Sequence, residues 1–191
     1  TYMATFGVVI SCIIGFTVGT LCFQNKNSAS FMLGVCDIFQ TFPSFVYLIP
    51  VMMLFGITDT SVLIAVIVYA TIPATRYTIE GLRSVPAALH DAATMSGVTK
   101  FQRLFKIEFP LAFPHMMLGL NQTIVFALFM VIIGAFIGTE DLGQYILKAL
   151  SDKNGAGIGL TLGLCVAFIG LIFDNLIRTW VDQRKKQLGI S

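Results

Sequence analysis

The chain has 191 residues, of which 56% are hydrophobic and only 12% are charged, and its formal net charge is +2. About a quarter of the residues of a typical soluble domain are charged, so a water-facing exterior here would expose much hydrocarbon. The composition therefore indicates a membrane protein and argues against a soluble domain. The cysteines, Cys12, Cys22, Cys36 and Cys165, lack the spacing of a metal site or a disulfide framework, and we interpret them as small hydrophobic residues.

Five apolar segments are predicted to be transmembrane helices. A helix rises about 1.5 Å per residue and needs about 20 residues to cross about 30 Å of hydrocarbon. The predicted spans cover residues 2–23, 31–57, 61–75, 116–138 and 158–178 of a single transmembrane domain, 1–191. Pro43 and Pro50 predict that the second span is kinked or locally unwound. The third span is short, or it continues past Pro73.

Lysine and arginine residues orient these spans. They are concentrated in the region 76–110 and in the tail 179–191, whereas the turn around Asp59 has no basic residue. Because cytoplasmic loops are enriched in Lys and Arg, the region 76–110 and the tail are predicted to be cytoplasmic and the loop 139–157 external. The chain starts directly at a span with Thr1, so we expect one or more helices to precede it.

The polar region between the third and fourth spans is predicted to begin with a short helix. Pro86 is acceptable in a first helical turn, and residues 87–96 are mostly good helix formers. Gly97 lies where a helix commonly ends with a residue of positive φ. We therefore expect a helix of about three turns that ends in a hinge at Gly97.

A second short helix is predicted after this hinge. Thr99 and Gln102 have the spacing of a capping box, which would open a helix through Lys106. Pro110 and Pro114 are expected to end this helix or to bend it into the fourth span, because proline lacks the backbone N–H of the helical ladder.

The first short helix has a face of small residues. Leu89, Ala92, Ala93 and Ser96 follow the i, i+3, i+4, i+7 spacing of one helical face, which suits a groove on another protein. The alternative is a helix that lies on lipid headgroups or packs under the bundle. A lipid-binding helix usually has large apolar anchors and a strongly basic face, and alanine is a poor anchor. We therefore favour docking, and expect Ala93→Arg to block it.

The spacing of this region resembles a known signature. Asp91-Ala92-Ala93 is followed after three residues by Gly97, after nine more by Ile107, and then by Phe109-Pro110. This pattern resembles the EAA signature of permease subunits in binding-protein-dependent ABC importers, with Asp in place of the usual Glu and Phe in place of the usual Leu. The resemblance implies that a set of residues couples the permease to an ATPase: Leu89, Asp91, Ala92, Ala93, Ser96, Gly97, Ile107 and Pro110.

The resemblance extends over nearly the whole chain. Residues 37–56, 79–86, 121–123 and 137–144 are similar to permeases that import glycine betaine, proline betaine, choline and related osmolytes. It implies an all-α, MetI-like five-helix core in the bacterial or archaeal inner membrane, with a cytoplasmic coupling helix between spans three and four. The implied partners are ATP-binding subunits, an extracytoplasmic substrate-binding protein, a second identical permease chain and membrane lipid, but no nucleic acid.

No cofactor or metal is expected to bind to this chain. It has no Gly-rich GK[ST] phosphate loop, so ATP and Mg are expected at the partner ATPase, and the chain itself is not expected to be an enzyme. An intramembrane enzyme would need clustered ionisable residues or a nucleophile motif such as G-x-S-x-G, which the sequence lacks. The remaining alternatives are a permease for another small polar solute such as an amino acid, a secondary transporter and a channel.

Candidate substrate-path residues lie in two of the spans. Phe42, Phe45 and Tyr47 suggest a cation–π site for a quaternary ammonium group, although ordinary membrane aromatics are the alternative. Asn121 and Gln122 either contact the solute or bond helix to helix.

Three charged residues within the spans have structural interpretations. Asp174 and Arg178 have the spacing of a helical ion pair and are expected to neutralise each other. Asp37 is interpreted as a packing or interface carboxylate.

Overall fold

The computed structural model describes residues 2–135, 142–151 and 156–188, and this part of the chain contains helices and no strands. The helices are α1 (Tyr2–Phe23), α2 (Lys26–Thr41), α3 (Phe45–Phe55), α4 (Asp59–Arg83), α5 (Ala87–Met95), α6 (Lys100–Arg103), a π-helical turn (Leu104–Glu108), α7 (Phe109–Ala135), α8 (Leu142–Ser151) and α9 (Ala156–Leu188). The predicted all-α fold is confirmed.

Helices α1 and α4 pack closely and run parallel to each other. A methyl group added at Gly7 would lie 2.3 Å from Val66 Cγ1, and one at Gly15 would lie 2.4 Å from Ala74 Cβ. The partners advance along α4 as the glycines advance along α1, which defines the parallel direction. Small residues at such an interface allow two backbones to approach closely, and this is a common means of association between transmembrane helices.

Helix α7 packs on α4 in the opposite direction. A methyl group added at Gly134 would lie 2.7 Å from Val62 Cγ1, whereas one at Gly119 would lie 2.6 Å from Tyr77 Cβ. Later residues of α7 therefore meet earlier residues of α4. Helix α4 is the central element of the bundle, with α1 and α7 against it.

The second predicted span consists of two helices, α2 and α3, that meet at an angle of 87°. The predicted kink is confirmed at Pro43, which lies in the break, whereas Pro50 lies inside α3. Because α1 and α4 are parallel, the chain that leaves the end of α1 must return to the opposite end of the bundle before α4 begins. The bent pair is therefore one broken span, and the described helices cross the bundle five times.

Of the two alternatives for the third span, the continuation past Pro73 is confirmed and the short span 61–75 is wrong. Helix α4 continues through Pro73 to Arg83. Arg76 and Glu80 therefore belong to a long apolar helix and not to the polar loop. Their charges are compatible with this position because they pair with each other, Arg76 Nε lying 2.9 Å from Glu80 Oε1.

Other boundaries also differ from the prediction. Helix α7 begins seven residues before the predicted start of the fourth span, residue 116, and the span's predicted last residues, 136–138, lie outside the described part. The predicted external loop 139–157 contains helix α8. Helix α9 extends to Leu188, so much of the predicted tail is helical. Amphipathic or charged turns that follow an apolar segment can continue its helix, since Lys, Arg and Gln are good helix formers.

The basic elements lie together at one end of the bundle. Arg83, the last residue of α4, donates from Nη2 to the carbonyl oxygen of Lys26 at 2.9 Å. The ring centroids of Phe113 in early α7 and Trp180 in late α9 are 5.2 Å apart. The turn before α2, the segment between α4 and α7, and the end of α9 therefore share one side, to which the positive-inside rule assigns the cytoplasm.

Candidate coupling site and translocation face

The coupling segment, residues 86–110, begins with a helix whose end is fixed by backbone hydrogen bonds. Gly97 N–H donates to the carbonyl of Thr94 at 3.1 Å, and Val98 N–H donates to that of Ala93 at 3.2 Å. This pair of bonds is the Schellman ending of a helix. Gly97 has a φ of +70°, so the predicted positive φ is confirmed.

The predicted capping box is also confirmed. Gln102 N–H donates to Thr99 Oγ1 at 3.3 Å, and Thr99 N–H donates to Gln102 Oε1 at 3.1 Å. Of the two alternatives for Pro110 and Pro114, the one in which the helix ends is wrong, because one apolar helical stretch runs from Lys100 to Ala135 and so continues into the fourth span.

A π-helical turn accommodates the first of these prolines. Phe109 N–H donates to the carbonyl of Leu104, one residue farther back than in an α-helix. Proline's ring and missing N–H disfavour a regular helical turn before it, and the wider turn directly before Pro110 avoids a break. Ile107, inside this turn, and Pro110, just after it, are both half-buried.

A buried carboxylate holds the two halves of the coupling segment together. Glu108 is only 2% exposed, and its Oε1 lies 3.1 Å from His90 Nδ1 and 2.9 Å from Arg103 Nε. His90 belongs to α5, whereas Glu108 directly precedes α7. The contact therefore connects the short helix to a transmembrane helix. Glu108 was not predicted from the sequence; the available signal was a lone acidic residue between Ile107 and Phe109.

The outer face of α5 differs from the predicted one at one position. Met95 is 90% exposed, and Leu89, Ala92 and Ser96 are exposed as well. Ala93 is only 4% exposed and points into this chain. The four predicted face residues span an arc wide enough to reach from solvent to the interior. Arginine at Ala93 would therefore disturb this chain itself, which makes the predicted docking test at that position unsuitable.

The aromatic substrate-path candidates do not form one site. Phe42 and Phe45 are exposed on either side of the break between α2 and α3. Tyr47 is buried: its hydroxyl donates to the carbonyl of Phe39, and its ring centroid is 5.0 Å from that of Tyr69. The position of Tyr47 is thus that of a packing residue.

Asn121 connects two helices. Its Nδ2 donates to Asp174 Oδ1 in α9 at 2.5 Å, and Asp174 also pairs with Arg178, whose Nε lies 2.8 Å from Oδ2. The expected ion pair of Asp174 and Arg178 is present. The contact of Asn121 corresponds to the helix-to-helix alternative.

Gln122 faces a polar cavity between α2, α4 and α7. The cavity has a volume of about 210 Å³ and is lined by Gln40, Arg76, Tyr77, Glu80, Gln122 and Phe126. Arg76 Nη1 lies 2.6 Å from Asp37 Oδ1 and 2.8 Å from Gln40 Oε1. Asp37 is therefore an interhelical ion-pair partner. Sequence reasoning did not connect these residues, because it placed Arg76 in a loop.

Comparison with known proteins agrees with the geometry of this segment and bundle. Residues 7–187 match the family described as binding-protein-dependent transport system inner membrane component. The chain belongs to this family. The predicted relationship to ABC importer permeases is thereby confirmed, as is the predicted location in the inner membrane.

Proteins named for transport are similar to this chain over its whole length or nearly all of it. The chain is 90% identical over 190 residues to the trimethylamine N-oxide transport system permease protein TmoV of Pelagibacter ubique, covering 100% of this chain and 26% of that protein. It is 45% identical to TmoV of Ruegeria pomeroyi over 100% of this chain and 29% of that protein. It is 32% identical to the glycine betaine transport system permease protein OpuAB of Bacillus subtilis, over 95% of this chain and 64% of that protein. The chain thus spans little more than a quarter of the length of the two TmoV proteins.

A solved structure confirms the predicted architecture. The inward-facing MetNI methionine ABC transporter superposes with a TM-score of 0.83 at 18% identity, covering 96% of this chain and 91% of that one. The fold is therefore MetI-like.

Proposed function

We propose that this chain is the permease domain through which an ATP-driven importer carries trimethylamine N-oxide. The observation that supports the proposal most strongly is the 90% identity, over the whole chain, to a permease named for trimethylamine N-oxide transport. A change of substrate between two proteins would require substitutions along the solute path, and few positions differ at this identity.

The proposed partners follow from the exposed surfaces and the family description. Two copies of the chain form the path, each contacts an ATPase subunit that binds ATP and Mg, and a substrate-binding protein delivers the solute from outside. The exposed face of α5, with Leu89, Ala92 and Met95, is the proposed contact with the ATPase. The small side chain of Ala92 allows a groove to approach closely, and the unbranched, flexible side chain of Met95 can adapt to the shape of that groove.

Movement of the ATPase would reach the spans through two connections. Helix α5 follows α4 after only three residues, 84–86, and it is tied to the start of α7 by the contact of His90 with Glu108. Helices α4 and α7 also pack on each other through Gly119 and Gly134. A displacement of α5 therefore acts on two of the three helices that line the polar cavity, α4 and α7, and can switch access to it between the two sides.

Uptake by the complete transporter tests this proposal. The full-length permease is reconstituted in liposomes with its ATPase and binding protein, and the uptake of labelled trimethylamine N-oxide is measured with and without ATP. We expect ATP-dependent accumulation. Its absence, when the binding protein binds the compound and the ATPase is active, would refute the assignment of substrate.

Glycine betaine is the second candidate substrate. It is supported by the 32% identity to OpuAB, of which this chain covers 64%. The same liposomes distinguish the two candidates: unlabelled glycine betaine in excess should reduce the uptake of labelled trimethylamine N-oxide only if the transporter accepts both.

A further inference from the structure

An ion-pair cluster inside the bundle has one open side. Arg76 lies seven residues before the end of α4, about 10 Å along the helix axis from Arg83. Its guanidinium contacts Asp37 and Glu80, whose side chains are 56% and 37% exposed in the isolated chain. Charged groups at this depth are costly against lipid and usually face a water-filled cavity or another protein segment. The open side of the cluster therefore faces a water-filled cavity or another protein segment.

Two polar groups at this cavity have unused hydrogen-bonding capacity. Arg76 donates from Nε and Nη1, but no residue in the described part of the chain accepts from its Nη2. The half-buried side-chain amide of Gln122 likewise has no hydrogen-bond partner among the described residues. Polar groups in such positions are normally satisfied by protein, water or a ligand. Both can donate to an anionic oxygen.

The same cavity has features that suit a methylated cation. One guanidinium contacts two carboxylates, those of Asp37 and Glu80, so the cluster carries a net negative charge when all three are ionised. The rings of Tyr77 and Phe126 complete the lining. Aromatic rings and negative charge together attract quaternary ammonium groups.

We infer that this cavity is a transmembrane binding site for a small methylated ammonium solute that carries an anionic oxygen. The oxygen accepts hydrogen bonds from Arg76 Nη2 and from Gln122, and the methylated nitrogen lies near Phe126 and the carboxylate of Glu80. The site occupies α4 and α7, the two helices that continue from the coupling segment, so movement of α5 changes its shape directly. The inference rests on the proposed function and locates the solute within the permease.

Transport by variants of the complete importer tests the site. Gln122→Leu retains the side chain's size but removes its donor, and Phe126→Ala removes a ring. Each should lower the uptake of trimethylamine N-oxide about tenfold. The matched control is Phe129→Ala, on the exposed face of the same helix, which should leave uptake within about twofold. Size-exclusion chromatography of each complex and its ATPase rate establish that the variants are assembled.

A labelling measurement tests binding without transport. A single cysteine at position 122, in a permease whose native cysteines are replaced, is treated with a water-soluble methanethiosulfonate reagent in the assembled complex. Trimethylamine N-oxide should slow the labelling severalfold, whereas tert-butanol, which has a similar shape but no charge, should not. A cysteine at position 129 should be unaffected by either compound.

The outcomes separate this inference from the proposed function. Uptake by the parent transporter, together with unchanged uptake by Gln122→Leu and Phe126→Ala and no protection at position 122, would overturn the site and leave the function standing. Failure of the parent transporter to accumulate the compound would overturn the function. Slower uptake by both variants, with protection at position 122, supports the site.

Discussion

The glycine-packed core and the coupling segment hold their shape in different ways. In the core, α1 and α7 approach α4 so closely that an added methyl group at Gly15 would overlap Ala74. In the coupling segment, α5 is exposed on its outer side and is held by a few polar contacts around Glu108. Close packing transmits displacement without absorbing it, whereas polar contacts around an open helix leave its surface available to a partner. An exposed helix such as α5 is suited to receive a movement from a partner, and a closely packed core such as α1, α4 and α7 is suited to relay it.

The largest expected loss of stability is in the core. Gly15→Leu places side-chain atoms where an ideal Cβ already lies 2.9 Å from the backbone nitrogen of Thr75, and the backbone cannot rotate away. We expect a loss of about 3 kcal/mol or more, seen as a lower thermal unfolding midpoint or as failure to accumulate in the membrane. Gly163→Leu is the control, since an added Cβ there has no neighbour within 4 Å. Equal effects of the two substitutions would refute close packing at Gly15.

A smaller and more local loss is expected at the buried carboxylate. Glu108→Gln removes the charge that contacts His90 and Arg103, and hydrogen bonds to charged groups contribute roughly 2 kcal/mol. Hydrogen exchange in the peptide 87–97 should increase while exchange in α1 and α4 stays unchanged. Asp91→Asn serves as the comparison, because Asp91 is exposed on α5. If the two variants exchange alike, Glu108 does not hold α5 in place.

Substitution of the hinge glycine, Gly97, should destabilise the chain through backbone conformation and not through packing. Gly97 has a φ of +70°, and a Cβ added there would meet no neighbouring atom, so Gly97→Ala should cost about 1 kcal/mol through backbone strain alone. Gly97→Asn should cost less, because asparagine tolerates this conformation better. The thermal unfolding midpoints of Gly97→Ala and Gly97→Asn measure this difference in stability. Gly34→Ala in helix α2 is the control. A cost for asparagine equal to that for alanine would contradict the explanation.

Substitution of Ala92 should have the smallest effect on stability and a large effect on coupling to the ATPase. Ala92 is exposed on α5, so Ala92→Arg should change the free energy of unfolding by no more than about 0.5 kcal/mol. The same substitution should remove the ATPase from a pull-down and abolish ATP-driven uptake. Ala93→Arg, one residue away and buried, should instead disturb the packing of α5 within this chain and lower its stability. Normal transport by Ala92→Arg would show that this face does not contact the ATPase.

Local rules made much of the coupling segment predictable. The positive φ at Gly97 and the capping box of Thr99 and Gln102 depend on residues within a few positions of each other, so composition and spacing suffice. The direction of Ala93 was not predictable from spacing. The four predicted face residues spread over an arc of the helix surface. The packing of the rest of the chain decides which part of that arc is buried.

The amino-acid sequence is sufficient to show that this is a membrane protein, where most of its spans lie, and which segment between them resembles the EAA signature. These properties follow from hydropathy and short-range spacing. Only the folded structure shows that Gly7 and Gly15 meet α4, that Glu108 joins His90 to Arg103, and that Arg76 pairs with Asp37 beside a polar cavity. Most of these contacts join different helices, and a periodic pattern within one helix shows which of its residues share a face but not which helix that face meets.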